Sequence, residues 1–327
     1  MAVDDRKIIV DNDISSFEVC KDFLKFTFPQ SKSMDMLCRP WAPEGDSREE
    51  PLPSWIAQRT NSPFGISINR VYRRINADPL VGRPDVHHKV YNASKLTPAQ
   101  YKFGEGSDRT LSVQGFILDV VKEKRSNAAE GIIPSEWVDT VGWKDVATKL
   151  PPDTFWRTLV ANRDTCGRRP PFLWKRVCQD SFNRRSRGSD LNTKELLGYD
   201  CPSAIREFLQ RVQRVVWKRR LVLLERNELP HHLDLAPSQT KKGDIICVLF
   251  GCSVPVALRQ YVNGQPASKA QRNSGIDRSK SLELAIEDAV KPSATVHYEF
   301  IGECYIHGFM DGEAVRKSYK AVSFSLR

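Results

Sequence analysis

Lys241-Lys242-Gly243-Asp244-Ile245-Ile246-Cys247-Val248-Leu249-Phe250-Gly251-Cys252-Ser253-Val254-Pro255-Val256-Ala257-Leu258-Arg259 is the stretch whose reading decides the fold. Gly243-Asp244 is a turn signal, and the unbroken apolar run Ile245 to Phe250 after it reads as a strand buried on both faces. Gly251 allows a tight reversal. From Ser253 the pattern alternates, with Val254, Val256 and Leu258 on one side and Ser253, Ala257 and Arg259 on the other. Pro255 has no N–H to give a ladder, so the second strand begins or edges a sheet there. A third segment, Tyr298-Glu299-Phe300-Ile301-Gly302-Glu303-Cys304-Tyr305-Ile306-His307-Gly308-Phe309-Met310-Asp311-Gly312-Glu313-Ala314, completes a small antiparallel meander that ends in two glycine turns.

Upstream, residues 12–28 read as a helix capped by Asn12 or Asp13, with Ile14, Phe17, Val19, Leu24 and Phe28 apolar and Pro29 as its stop. Residues 40–53 are a loop or linker that leads into Leu52-Pro53-Ser54-Trp55. Leu111 to Val121 reads as a strand whose alternation changes phase at Gly115, the signal of a bulge. Helical spacing covers 134–149 and Thr154 to Arg163. It is clearest over 203–220, where Ile205, Phe208, Leu209, Val212, Val215 and Val216 share one face behind a Ser203 cap. Residues 263–296 look like a long mobile insertion between two strands, with a short helix over Ser281 to Val290. The expected class is α+β: helices packed around a mixed or antiparallel sheet, closed by the C-terminal antiparallel meander. Three segments are expected to form one compact unit: 1–130, helical and then loop-rich β; 131–222, helical and basic; and 223–327, the meander with its insertion.

The 327 residues are 28% charged and 40% hydrophobic, a globular mixture. The expected location is the cytoplasm. Asp4-Asp5-Arg6-Lys7 offers acids where a signal peptide needs a basic start and an apolar run, and no run approaches the length of a bilayer span. Eight cysteines without regular spacing then read as reduced thiols. The Asn92-Ala93-Ser94 sequon has no acceptor role in that compartment. The net charge of +10 sits in residues 157–220, which hold 16 Lys/Arg against 6 Asp/Glu; the remainder holds 34 of each.

Several stretches together resemble the C-terminal region of fungal heterokaryon-incompatibility (HET-domain) proteins. The match in the meander rests on Gly243, Asp244, Gly251, Pro255, Arg259, Gly302, Glu303, His307, Gly308, Asp311, Gly312 and Glu313. Upstream it rests on Trp55 in Leu52 to Trp55, on Asn92 in Tyr91 to Ser94, and on Trp156 and Arg157 in Phe155 to Arg163. Arg219-Arg220-Leu221 and Leu233 to Pro237 join these elements to the meander. Three positions depart from the family pattern: Ile56 stands where a second tryptophan is usual, Asn162 where an acid is, and Asp234 where a glycine is.

What the resemblance implies is a role in non-self recognition and cell death when unlike hyphae fuse. In that family an N-terminal domain related to TIR domains triggers death and the remainder regulates or senses. The hallmarks of that N-terminal domain occur nowhere in these residues, so the expectation is a regulatory or truncated member that neither kills nor consumes a nucleotide alone. Two other classes stay open: an accessory protein encoded beside secondary-metabolite genes, and an enzyme built on the Glu303 to Glu313 cluster.

As chemistry, that cluster is weak. Cys304 and His307 are three apart on a strand, which sends their side chains to opposite faces and argues against a nucleophile pair. Cys304 is expected to pack with Tyr298, Phe300 and Ile306, while Glu303, His307 and Glu313 bind backbone groups at the turn. A zinc site from Cys247, Cys252, Cys304 and His307, His231 or His232 lacks knuckle spacing. His87 and His88 sit in a loop-like stretch, as do His231 and His232. Gly104-Glu105-Gly106 is no phosphate loop, so neither a cofactor nor a metal is expected. Arg168, Arg169, Lys175, Arg176, Arg184, Arg185 and Arg187, with Phe172 and Trp174 among them, could meet nucleic acid but carry no reading motif. A protein partner, with acidic proteins among the candidates, is the other reading of this segment. No membrane partner is expected.

Overall fold

The computed structural model describes residues 14–44, 50–66, 70–84, 89–95, 97–185, 189–198, 200–225, 233–262, 264–266, 296–316 and 319–327. The fold is α+β. It is organised around β4 (Leu111–Asn127), a long strand that changes partner along its length. Its first residues pair antiparallel with β13 (Val322–Leu326) and, on the other edge, with β3 (Tyr101–Phe103). Residues Gly115 to Val120 pair with β9 (Ile245–Leu249), and those from Val121 onward with β7 (Arg219–Leu224), beside which lies β8 (Asp234–Pro237).

The expected meander is present. β9, β10 (Val256–Val262) and β12 (Val296–Glu303) run antiparallel in sequence, and Pro255 sits just before β10, where no ladder bond is asked of it. Beyond it, β12 meets β13 in parallel at Tyr298 and Leu326, so the sheet is mixed. The chain of pairings β4–β9–β10–β12–β13–β4 closes on itself. Alternation along these strands separates two apolar clusters. Val113, Ile117, Cys247, Val256 and Leu258 join the larger one, which continues into the helices. Phe116, Leu118, Ile246, Val248 and Ala257 form the smaller one on the opposite face.

The helices cover the larger cluster. α1 (Ser16–Ser31) buries Phe17, Cys20, Leu24 and Phe28. α2 (Ser135–Thr140), α3 (Asp153–Leu159), α4 (Trp174–Asn183) and the single turn α5 (Thr193–Leu196) precede α6 (Ser203–Val216), which buries the six expected residues from Ile205 to Val216. Trp143, Phe155 and Phe182 pack ring against ring among them, Trp143 meeting Phe182 edge to face, and Trp174 meets Phe208 across α4 and α6. Two short ribbons stand apart: β1 (Phe64–Ile66) with β2 (Tyr72–Arg74), and β5 (Ile132–Ile133) with β6 (Leu191–Asn192). β11 (Gln265–Pro266) turns back onto β10. Residues 267–295, which hold the rest of the expected insertion and its Ser281 to Val290 helix, lie outside the described residues.

The structure corrects several boundaries. Ser15, not Asn12 or Asp13, caps α1, accepting from the Glu18 amide at 3.3 Å; Asn12 and Asp13 lie outside the described residues. Pro29 sits inside the last turn, where its ring forfeits one ladder bond but keeps a helical φ. Val19 faces solvent and Cys20 takes the core position. The irregularity in β4 falls at Leu118, between Ile117 and Asp119, because register with β9 slips there. Gly115 serves close approach instead: a Cβ would lie 2.3 Å from the Val248 carbonyl. The span 134–149 is helical only over α2, since Gly142 turns left-handed at φ 66. α3 stops at Leu159 because Ala161 and Asn162 are also left-handed, at φ 49 and 50. α6 ends at Val216, with Pro202 in the cap position and Ser203 as the first helical residue; left-handed Lys218 then swings Arg219 and Arg220 into β7.

Candidate functional site

The residues that carry the resemblance lie far apart in sequence, and the fold ties them to one another. Glu303, last in β12, is buried and accepts from the Leu80 amide at 2.6 Å, the Val81 amide at 3.2 Å and the Arg219 guanidinium at 2.5 Å. Arg219 also donates to the carbonyls of Val215 and Asp78. Burial pushes the Glu303 carboxyl above the usual carboxylate range, while Arg219 and the two amides pull the other way. Beside this pair opens a cavity of about 390 Å³ lined by Ser54, Gln58, Lys218, Glu299 and Gly302, among others. Gly302, at φ 138, passes against Pro237 of β8, and Ser54 receives the Phe300 amide at 2.8 Å.

The turn after β12 is held from three sides. Arg163, itself buried, shares its Nη2 between both oxygens of Asp311 at 2.6 and 2.8 Å, lies 4.6 Å from the Tyr91 ring centroid, and gives its Nε to the Val90 carbonyl. A guanidinium–carboxylate bond of this kind is charge-assisted. The Asn92 amide donates to the Met310 carbonyl, and Gly312 (φ 86) packs so close to Lys95 that a Cβ would sit 2.9 Å from its side chain. Glu313 accepts from the Asp311 amide at 2.7 Å, and Gly308 turns at φ 80. The third tie is Asp234: its carboxylate accepts from the His307 amide at 2.8 Å. Burial raises the Asp234 pKa to about 7; that amide opposes the shift and the charge of Asp119 adds to it.

The remaining signature residues brace the meander. Asp244 receives both Nε and Nη2 of Arg259 at 2.9 Å, and the Lys241 amide at 2.7 Å, an arrangement that fixes the turn into β9. Gly251 (φ 85) abuts Ala99, and its carbonyl takes the Met34 amide and the Ser33 hydroxyl. The Pro255 carbonyl accepts the Cys304 amide at 2.8 Å. Trp55 is buried with its indole N–H on the Arg109 carbonyl, and Ile56 is buried beside it without a second indole. Trp156 bonds Asp153 at 3.2 Å and carries Arg157 over its ring; Arg157 reaches the Asn162 side-chain oxygen at 2.9 Å, so the amide accepts where an acid is usual.

As chemistry the cluster is spent on structure. Cys304 is fully buried in the smaller cluster with Ile306, whereas Tyr298 and Phe300 face the larger one, which corrects the expected packing. Burial holds its thiol well above the usual range. The Nδ1 of His307 lies 2.9 Å from the Tyr305 hydroxyl, and Cys304 sits 4.0 Å from the Gly302 carbonyl oxygen, so the two side chains are engaged elsewhere. Glu303 does bind backbone, but at Leu80 and Val81 rather than at its own turn. Cys252 approaches Cys38 at 4.0 Å, and Cys247 lies buried on β9. Among the described residues no group of three or more His, Cys, Asp or Glu is placed to hold a metal ion. His87, His88, His231, His232 and Arg187 lie outside the described residues. The pairings of Arg163, Arg219 and Asp234 escaped sequence reasoning, and their only signal was membership of the matched stretches.

Much of the basic segment is also spent internally. Lys175 pairs with Asp153 at 2.7 Å, Arg168 with Asp164 at 3.1 Å, Arg176 with Asp180 at 3.6 Å and Lys194 with Glu130 at 2.6 Å. Arg211 gives its Nε to the carbonyls of Val160 and Arg163, Arg185 bonds the Ser189 carbonyl, and Trp174 is buried. What remains outside is Phe172 and Leu173, 68% and 62% exposed, beside exposed Arg169, Arg176 and Arg184. Leu173, Arg176 and Arg184 border a groove of about 470 Å³ between α4 and the start of α6. No helix among the described residues is long and apolar enough to cross a membrane. Comparison with protein-family models, with curated proteins and with solved structures gave no match.

Proposed function

We propose that this chain is a HET-like regulatory protein of the fungal vegetative-incompatibility system, one that binds a protein partner and carries out no chemistry itself. The observation that carries the reading is the convergence of the matched elements. Among the described residues, 91–94, 155–163, 219–225, 233–237, 243–259 and 302–314 bond to one another, through Arg163–Asp311, Arg219–Glu303, Asp234–His307, Asn92–Met310 and Pro255–Cys304, while 52–55 reaches only the neighbouring Phe300, through Ser54. The same convergence supports a structural rather than a catalytic role, because the carboxylates that a catalyst would need free already hold backbone amides and guanidinium groups.

The partner is an acidic protein that docks on Phe172 and Leu173, with Arg169 and Arg184 around them. Exposed aromatic and aliphatic side chains beside exposed arginines have the composition of an interface centre. The test is co-expression in a filamentous fungus with a protein that carries a complete HET domain. The chain alters the death response of that protein, and the double variant Leu173→Glu/Arg184→Glu does not. An equal effect from both forms removes this face from the proposal, and no effect from either removes the regulatory reading.

A further inference from the structure

Residues 59–77 contain four arginines, Arg59, Arg70, Arg73 and Arg74, and no Asp or Glu. This run forms the β1–β2 ribbon, which pairs with no other strand among the described residues. Its register sets Phe64 opposite Arg74, Gly65 opposite Arg73 and Ile66 opposite Tyr72. Opposed residues share a face, and so do alternate residues along each strand. One face therefore carries Phe64, Ile66, Tyr72 and Arg74, and the other Gly65 and Arg73.

The two ends of the apolar face differ. At the base, Arg74 lies 4.5 Å from the Phe64 ring centroid and bonds Asp78 at 2.7 Å, while the Phe64 and Tyr72 rings stack at 5.5 Å. At the far end Ile66 is 74%, Tyr72 70% and Val71 60% exposed, with Arg70 and Arg73 exposed next to them. Arg73 also lies within electrostatic reach of Glu130, which is bonded to Lys194. Polarity thus changes along the axis of the ribbon, from a tied base to an apolar end, and not merely across it.

We infer that this ribbon is a membrane-contact element that places Ile66, Val71 and Tyr72 in the interface of a bilayer containing anionic phospholipid, with Arg70 and Arg73 at the level of the headgroups. Aliphatic side chains at the exposed end gain from hydrocarbon and offer nothing to a phosphodiester backbone. Phe64 at the base of the ribbon is covered by Arg74, and Tyr72 is the ring left exposed, so the vesicle and nucleic-acid arms of the test below separate the two ligands. Tyrosine suits the interfacial layer, and arginine stems lie along apolar surface while the head reaches phosphate. Arg70 and Arg73, exposed at that end, fit a negatively charged surface, which attracts such residues over a Debye length, whereas Arg74 is held by Asp78. The contact is peripheral, and it is separate from the partner face on α4.

The experiment is co-sedimentation of the full chain with vesicles of phosphatidylcholine alone and of phosphatidylcholine mixed with phosphatidylserine. Binding is expected to the mixed vesicles only, and to weaken with salt. Ile66→Asp/Tyr72→Asp loses at least about tenfold in partitioning, since a charge replaces inserted apolar surface, and Arg70→Gln or Arg73→Gln loses about fivefold each. All four positions are exposed, so unchanged thermal melts accompany the loss. Absence of binding to mixed vesicles, or equal binding by every variant, overturns the inference. Binding of single-stranded nucleic acid or a polyglutamate peptide without vesicle binding overturns it too and assigns the ribbon to that partner.

Discussion

Arg219 and Glu303, 84 positions apart, meet at 2.5 Å where the first residue of β7 faces the last of β12. Both are buried, and each holds backbone groups besides the other. Removing one partner leaves a buried charge uncompensated, so Arg219→Ala is expected to cost about 3–5 kcal/mol. Urea denaturation followed by circular dichroism measures it. A loss under about 1 kcal/mol is the size of an exposed pair and contradicts a tie of this kind.

Asp234 provides a pH test. Its pKa of about 7 lies above the unfolded value of about 3.9, so the folded state binds the proton more tightly. The contribution is fully present below about pH 4 and is lost as pH rises through 7. Asp119, raising the shift, and the His307 amide, opposing it, face the carboxyl. Asp234→Asn keeps an acceptor for that amide and removes the charge. It is expected to raise the stability at pH 8 by on the order of 4 kcal/mol at most, seen as a higher melting temperature, and to change little at pH 4. A lower melting temperature at pH 8 sinks this account.

Leu209 is fully buried at the centre of the α6 face. Leu209→Ala is expected to cost about 2–5 kcal/mol by chemical denaturation. A cost near that of exposed substitutions, about 0.5 kcal/mol, contradicts the packing.

Gly115 tests the closure of the strand ring. A Cβ there meets backbone, the Val248 carbonyl and the Leu249 Cα, which cannot move aside as a side-chain end can. Gly115→Ala is expected to cost roughly 1–3 kcal/mol, the range for forced overpacking, and to speed amide exchange in β9. Exchange in β9 that stays at its wild-type rate contradicts the close approach.

Periodicity made α6 and the β9–β10 pair legible, because burial of one helix face or of a short apolar strand is written in consecutive residues. What stayed hidden was set by partners distant in sequence. The slip at Leu118 depends on register with β9, and the end of α3 depends on Ala161 and Asn162 turning left-handed so that the Ala161 carbonyl can take the Tyr91 hydroxyl. The parallel contact of Tyr298 with Leu326 leaves no local pattern at all. At the candidate site the resemblance picked out Asp311 and Glu303. Only the fold reveals that Arg163 and Arg219 answer them, since charge pairing over 148 and 84 positions has no sequence signature. Asp234 read as a departure from a glycine turn, yet its carboxylate is what holds the His307 amide.

In the proposed function the Glu303 to Glu313 region holds the fold together and performs no chemistry. Its most direct test is to express residues 1–327 in a fungal host and follow viability and cellular NAD, alongside His307→Ala. The account predicts normal growth and an unchanged NAD level for both forms. Cell death or NAD loss with the wild-type chain that disappears in His307→Ala, while the variant remains folded by thermal melting, would contradict it and establish the enzyme reading in its place.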